Sequence, residues 1–171
     1  IHLKENRDTG VPQEKIEEIS HGVPIEFLQS KAGRLPITKR LSIPSNATLI
    51  VCPMRPEKYG ADTFIKAAAI VRNKIKNKQL HFLITGNLKS GRPERRNAAK
   101  KLKETAKKFD PNRELINFRS FTLRQMWEVF HRAQVCVIPS FREGLSIALL
   151  EAMALKTVAI ASDVHGNNEV I

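Results

Sequence analysis

The chain has 171 residues, 42% apolar and 27% charged, enough for one domain with an ordinary core. No apolar run approaches the length of a membrane span, and the polar start carries no signal-peptide pattern. A net charge of +12 implies anionic partners (phosphorylated ligands, acidic lipid or nucleic acid) without choosing among them.

Residues 1–9 read as the tail of a helix ended by Gly10 and Pro12. Residues 24–47 read as loop and short helix, broken by Pro24, Pro36 and Pro44. Strands and helices then alternate. Thr48–Pro53 is β-like, and Ala61–Asn77 is a helix with Phe64, Ala68, Val71 and Ile75 on one face. Leu80–Thr85 is a strand ending in Gly86-Asn87. Pro93–Phe109 is a helix with proline in its first turn. Leu115–Phe118 is a short strand ahead of Arg119-Ser120. Thr122-Leu123-Arg124-Gln125 makes a capping box for a helix whose core face is Leu123, Met126, Trp127 and Phe130. Val135–Ile138 is a buried strand, Ser146–Leu155 a helix and Thr157–Ala161 a strand, which the loop His165-Gly166-Asn167-Asn168 closes.

This alternation implies an α/β fold: a Rossmann-like, doubly wound parallel sheet with helices on both faces. Ligands of such sheets sit at the carboxyl ends of the strands. Arg55 and Lys58, Gly86 and Asn87, and the stretch after Ile138 all fall there. In that stretch, Pro139-Ser140-Phe141-Arg142-Glu143-Gly144-Leu145-Ser146 leads into a leucine- and alanine-rich helix. A helix start presents backbone N–H groups to an anion such as a diphosphate. Glu143 lies before the helix and Glu151 two turns inside it. Eight residues at 1.5 Å each span roughly 12 Å, a carboxylate for each end of an elongated, hydroxyl-rich ligand. Locally, Ser140-x-x-Glu143 also reads as a capping box and Ser146 as a helix cap.

Cys52 and Cys136 lie in separate strands and read as reduced core thiols, fitting a cytoplasmic location. The five histidines show no metal spacing, and there is no Asp-x-Asp, so no metal site and no cofactor are expected. Between Arg92 and Lys108, eight cations face Glu94 and Glu104. Arg96, Lys100, Lys103 and Lys107 share one helical stripe. That stripe reads as a solvated face or as a peripheral contact with an anionic membrane surface. Aromatic residues are not interleaved with it, which argues against nucleic acid as a partner.

The Pro139–Ala154 stretch resembles the E-x7-E signature of retaining glycosyltransferases of the GT-B fold, family 4 in particular. Arg55-Pro56-Glu57-Lys58, Leu83-Ile84-Thr85-Gly86-Asn87 and Ile160–Ile171 fall in that family's order at about its intervals. The resemblance implies that residues 1–171 form a single nucleotide-sugar-binding domain, one half of a GT-B fold. Residues 1–23 would be interdomain linker and domain start. The first residue, Ile1, and the final Glu169-Val170-Ile171 lead to the expectation of a piece cut from a longer chain. An N-terminal acceptor domain and the C-terminal end of the fold would lie outside it.

The resemblance also implies roles. Arg55 and Lys58 would grip the departing diphosphate, with Gly144, Leu145 and Ser146 cradling the same phosphates through backbone N–H groups. Glu143 would accept hydrogen bonds from the transferred sugar, and Glu151 from both ribose hydroxyls. Gly86, Asn87, Arg119 and Ser120 would flank the nucleobase. The acceptor oxygen would attack on the face the diphosphate leaves, with retention and without metal. The isolated chain would bind its nucleoside diphosphate sugar yet transfer nothing. Three departures stand out: Arg55 and Lys58 are three apart where the family has four to six, His21 replaces an asparagine, and His165 falls where Gly-Gly and proline are frequent. Two rivals stay open: a GT-B relative acting as a phosphorylase or epimerase, and a basic α/β domain binding nucleic acid through residues 92–108.

Overall fold

The computed structural model describes residues 12–17, 19–33, 37–53, 60–75, 79–86, 92–112 and 116–171. A short 3-10 turn, Gln13–Lys15, is followed by helices α1 (Ile25–Lys31) and α2 (Ile37–Leu41). Five strands then alternate with helices: β1 (Thr48–Pro53), α3 (Ala61–Ile75), β2 (Leu80–Thr85), α4 (Pro93–Phe109), β3 (Ile116–Arg119), α5 (Leu123–Arg132), β4 (Val135–Ile138), α6 (Ile147–Ala154) and β5 (Val158–Ala161). The one-turn helix α7 (His165–Asn168) stands where a loop is expected from the sequence.

All pairings are parallel, in the order β3-β2-β1-β4-β5. The expected doubly wound sheet is therefore present. Alternation along the central strands divides the core. Leu49, Val51, Leu83, Cys136 and Ile138 face α1, α2, α5 and α6. Cys52, Leu80, Phe82 and Ile84 face α3 and α4 through Phe64, Ile65, Ala68, Leu102 and Ala106. Register pairs Val51 with Cys136, so Cys52 points to the opposite face from Cys136. The thiols sit on neighbouring strands and cannot bridge. Burial, then the nearby Cys136, raises the Cys52 thiol well above its ordinary value. Burial alone pushes Cys136 up to about 12. Both are inert core groups at neutral pH.

Two expected core residues turn outward. Leu123 is 62% and Ile75 59% exposed, and Val71 is half-buried. The capping box of α5 is present: Gln125 N–H donates to the Thr122 hydroxyl, and the Thr122 N–H to Gln125 Oε1, at 3.4 and 3.1 Å. What the sequence hides is Glu128 on the same helix. It is buried, and its Oε2 accepts from the Gly33 N–H at 2.7 Å, tying the end of α1 to α5. Among the described residues no helix is long and apolar enough to cross a membrane.

Helix α6 ends in a Schellman turn. The Lys156 N–H bonds the Met153 carbonyl at 2.9 Å and the Thr157 N–H the Ala152 carbonyl at 3.0 Å. This motif places its next residue in the left-handed region, where glycine is usual. Here Lys156 occupies it, at φ 63°. A side chain there is disfavoured by Cβ contact with the backbone. Lys156→Gly should therefore raise stability by about 0.5–1 kcal/mol after the added freedom of the unfolded chain is counted. Thermal denaturation should register about 1–4 °C; an unchanged or lower melting point would show that the lysine is at ease there.

Candidate functional site

The strand order reverses beside β1. The chain moves from β1 outward to β2 and β3, then returns to the other side of β1 for β4 and β5. In such sheets the crevice at the point of reversal, outside the carboxyl ends of the two central strands, is the usual ligand position. The Pro139–Ala154 element leaves β4 at that crevice. Gly60, which opens α3 after the β1 loop, lies against it. A Cβ on Gly60 would stand 1.7 Å from the Pro139 carbonyl oxygen, and Gly60 has φ +99°. Only glycine fits this close approach.

Residues Ser140 to Ser146 are loop, and α6 begins at Ile147. Glu151 is thus one turn inside the helix, not two, and Ser140-x-x-Glu143 is not a capping box at its start. Instead the Ser140 hydroxyl donates to Glu143 Oε1 at 2.6 Å, fixing the first carboxylate within its own loop. Ser146 holds the N-cap position but makes no side-chain capping bond. The first N–H groups of a helix have no intrahelical partner. Glu151 is half-buried, and its Oε1 accepts from the Trp127 indole N–H at 2.9 Å.

A second layer supports the loop from the end of β5. The Ser162 N–H donates to the Ile138 carbonyl at 3.0 Å, and the Ser162 hydroxyl to the Ser140 carbonyl. Asn167 Nδ2 donates to the Ser162 carbonyl at 3.0 Å. Gly166 presses on the loop from below, since a Cβ there would lie 1.7 Å from the Gly144 carbonyl oxygen and 2.8 Å from that of Glu143. Gly144 itself is open, with nothing within 4 Å of its own Cβ position. Reading His165-Gly166-Asn167-Asn168 as a loop missed this supporting role.

The remaining candidates fall on the other side of β1. The Gly86 N–H bonds the Arg119 carbonyl at 3.2 Å, and the Ser120 hydroxyl donates to the Gly86 carbonyl at 2.6 Å. Gly86, Arg119 and Ser120 therefore form one group at the ends of β2 and β3. Glu143, Gly144, Leu145, Ser146 and Glu151 form another at β4 and α6. Arg55, Lys58 and Asn87 lie outside the described residues. A cleft of about 360 Å3 runs elsewhere, along β3, lined by Lys103, Lys107, Asp110 and Arg119 among others. Among the described residues no cluster of three or more His, Cys, Asp or Glu could hold a metal ion.

Residues 45–171 match the family model described as glycosyl transferases group 1. The chain belongs to that family. Over 50 residues the chain is 48% identical to the alpha-maltose-1-phosphate synthase of Mycobacterium tuberculosis, a match covering 29% of this chain and 13% of that protein. The fold is similar to a glycosyltransferase from Rickettsia africae, with TM-score 0.77, 18% identity and coverage of 99% of this chain against 44% of the other. It is also similar to Anabaena HepE, solved in complex with UDP-glucose, with TM-score 0.74, 17% identity and coverage of 96% against 43%. The chain thus spans less than half the length of each of these relatives. The sheet has the Rossmann-like architecture of a C-terminal GT-B domain, as the sequence resemblance implies.

In this group 1 glycosyl transferase chain, the two site glycines predict opposite behaviour. Gly166→Ala should cost about 1–3 kcal/mol, because backbone must move to admit the methyl group. Gly144→Ala should leave the folded state unchanged. Urea denaturation checks both; a Gly166→Ala protein as stable as its parent would dissolve the supporting contact described here.

Proposed function

We propose that the chain is the donor-binding C-terminal domain of a retaining glycosyltransferase that moves a hexosyl group from a nucleoside diphosphate sugar to an acceptor hydroxyl. The observation that carries this reading is the Glu143-Gly144…Glu151 element at the β1/β4 crevice of a chain whose family is glycosyl transfer. An open glycine ahead of a helix start that its own N-cap side chain leaves unbonded suits a diphosphate. Arg55 and Lys58, from the loop after β1, would add fixed cations where charge develops on the leaving group. The Ser140 hydroxyl orients Glu143 toward one task, accepting from a sugar hydroxyl. Glu151, deeper on α6, would take the ribose diol.

No general acid or base is required of this domain in that reading, since the leaving phosphate takes the acceptor's proton. Water exclusion and acceptor alignment need a facing domain, so the 171-residue chain alone should bind donor without transferring it.

A thermal-shift panel of UDP-, GDP- and ADP-sugars is the direct test, and UDP-glucose is the first to try. Calorimetry on variants then assigns the parts. Glu151→Ala should weaken nucleotide binding by about 1–3 kcal/mol. Gly144→Ala should weaken diphosphate binding with no loss of fold stability. Arg55→Ala and Lys58→Ala should lose unequal amounts, given their short spacing. Unchanged affinity in Glu151→Ala would end its ribose assignment.

The basic stripe supports a second contact. On α4, Ala99, Leu102 and Ala106 face inward, while Arg96, Lys100, Lys103 and Lys107 are exposed. We infer a peripheral, salt-reversible contact with anionic lipid, worth up to about 1 kcal/mol per cation near the surface. No bulky apolar residue shares the stripe for insertion. Acidic vesicles should co-sediment the chain at low salt and neutral ones should not. Reversing the four charges should abolish this while leaving nucleotide binding intact. Failure of acidic vesicles to recruit the chain would leave the stripe a solvated face.

A further inference from the structure

Trp127 is the single tryptophan of the chain. It reads from the sequence as part of the core face of α5, yet it is only half-buried. Its indole N–H donates to Glu151 Oε1 across the α5–α6 interface at 2.9 Å. An indole has one donor and no acceptor, so its whole polar capacity goes to this carboxylate. The ring is itself held. Phe27 of α1 meets it edge-on, with centroids 5.8 Å apart and planes at 87°. Helix α1 is fixed in turn by buried Leu28 and by Gln29 Nε2, which donates to the Ala154 carbonyl at the end of α6 at 2.9 Å.

We propose that Trp127 is a positioning residue for the ribose diol of the nucleotide: it anchors one oxygen of Glu151 so that the carboxylate meets the two hydroxyls already oriented. This rests on the donor-binding reading given above. A glutamate side chain left to itself samples several rotamers, and ordering it on binding lowers affinity. A hydrogen bond from a packed ring removes that freedom beforehand. A carboxylate offers about four lone-pair sites. With one taken by the indole, enough acceptor capacity is left for two vicinal hydroxyls. A phenyl ring would keep an aromatic against Phe27 and fill most of that space, but with no N–H it would release the carboxylate.

Two measurements test the assignment, using the nucleoside diphosphate among UDP, GDP and ADP that gives the largest thermal shift. The first needs no mutation. Saturating ribonucleotide should shift the emission of Trp127, because its hydrogen-bond partner gains two donors. The 2′,3′-dideoxy form, which keeps base and diphosphate, should bind more weakly and leave the emission unmoved at saturation. The second is calorimetry on Trp127→Phe. Its affinity for the ribonucleotide should fall about 2- to 10-fold, the order of immobilising one rotamer-rich side chain on binding. Its affinity for the dideoxy form should fall much less, so discrimination between the two shrinks. A merely structural tryptophan would weaken both nucleotides equally or neither. Equal losses, or the same emission change with both nucleotides, overturns the proposal while the donor-binding reading stands. Should Trp127→Phe not fold, the emission comparison decides alone. If none of the three diphosphates binds the wild-type chain, the donor-binding reading fails and the positioning role goes with it.

Discussion

The reversal of strand order beside β1 is the constraint on which the rest depends. In a parallel sheet every strand delivers its chain to the same edge, and only where the order reverses do two loops part and leave room between them. Here β1 and β4 are the pair. Closeness at their ends is set by backbone against backbone, with Gly60 on the Pro139 carbonyl and Gly166 on that of Gly144. Neither position tolerates a side chain. The loop carrying Glu143 is therefore gripped from the α3 side and from the β5 side, while Gly144 stays open between them. Rigid support beneath and open space above is what a site for a charged, multidentate ligand requires.

Much of this was legible in the residues. The bounds of β1, β2, α4 and β4 follow the expected ones because each is a short apolar run or a proline-started helix with clear punctuation. Family motifs then placed the candidate residues at strand ends, and Gly86, Arg119 and Ser120 do gather at β2 and β3. Side-chain partnership was less legible. Periodicity tells which face of a helix is apolar, not how far a partner extends along it. Leu123 and Ile75 continue the apolar pattern past the point where their helices are covered. Buried Glu128 breaks the pattern for a reason lying 95 residues away, at the Gly33 N–H. Ser140 and Glu143 have the spacing of a capping box, but the helix starts later and the serine bonds the carboxylate directly. Local spacing names a pair that can meet; the surrounding chain decides what the meeting does.

Three glutamates show how environment divides one side chain into different tasks. Glu128 is buried against a backbone N–H and serves the docking of α1. Glu143 sits in a loop and takes a hydroxyl from three residues away, a bond that holds its position. Glu151 is half-buried against an indole. A buried carboxylate with a strong donor stabilises the fold, whereas a part-exposed one can also meet a ligand. On that criterion Glu143 and Glu151 are the pair suited to hydroxyl-rich chemistry.

Helix α6 departs from its own local optimum at both ends, and the two departures differ in kind. At its start Ser146 could cap the first turn but makes no side-chain bond to it. A cap would compete for the N–H groups that an anion would use, so the absence is consistent with the site it faces. At its end Lys156 takes the left-handed turn position where glycine would be easier. That end lies at the amino edge of β5, away from the crevice, and nothing among the described residues gives the lysine a partner role there. Chains are held above a stability threshold rather than at their best. A departure facing the site therefore asks for a functional reason, and one on the far edge does not.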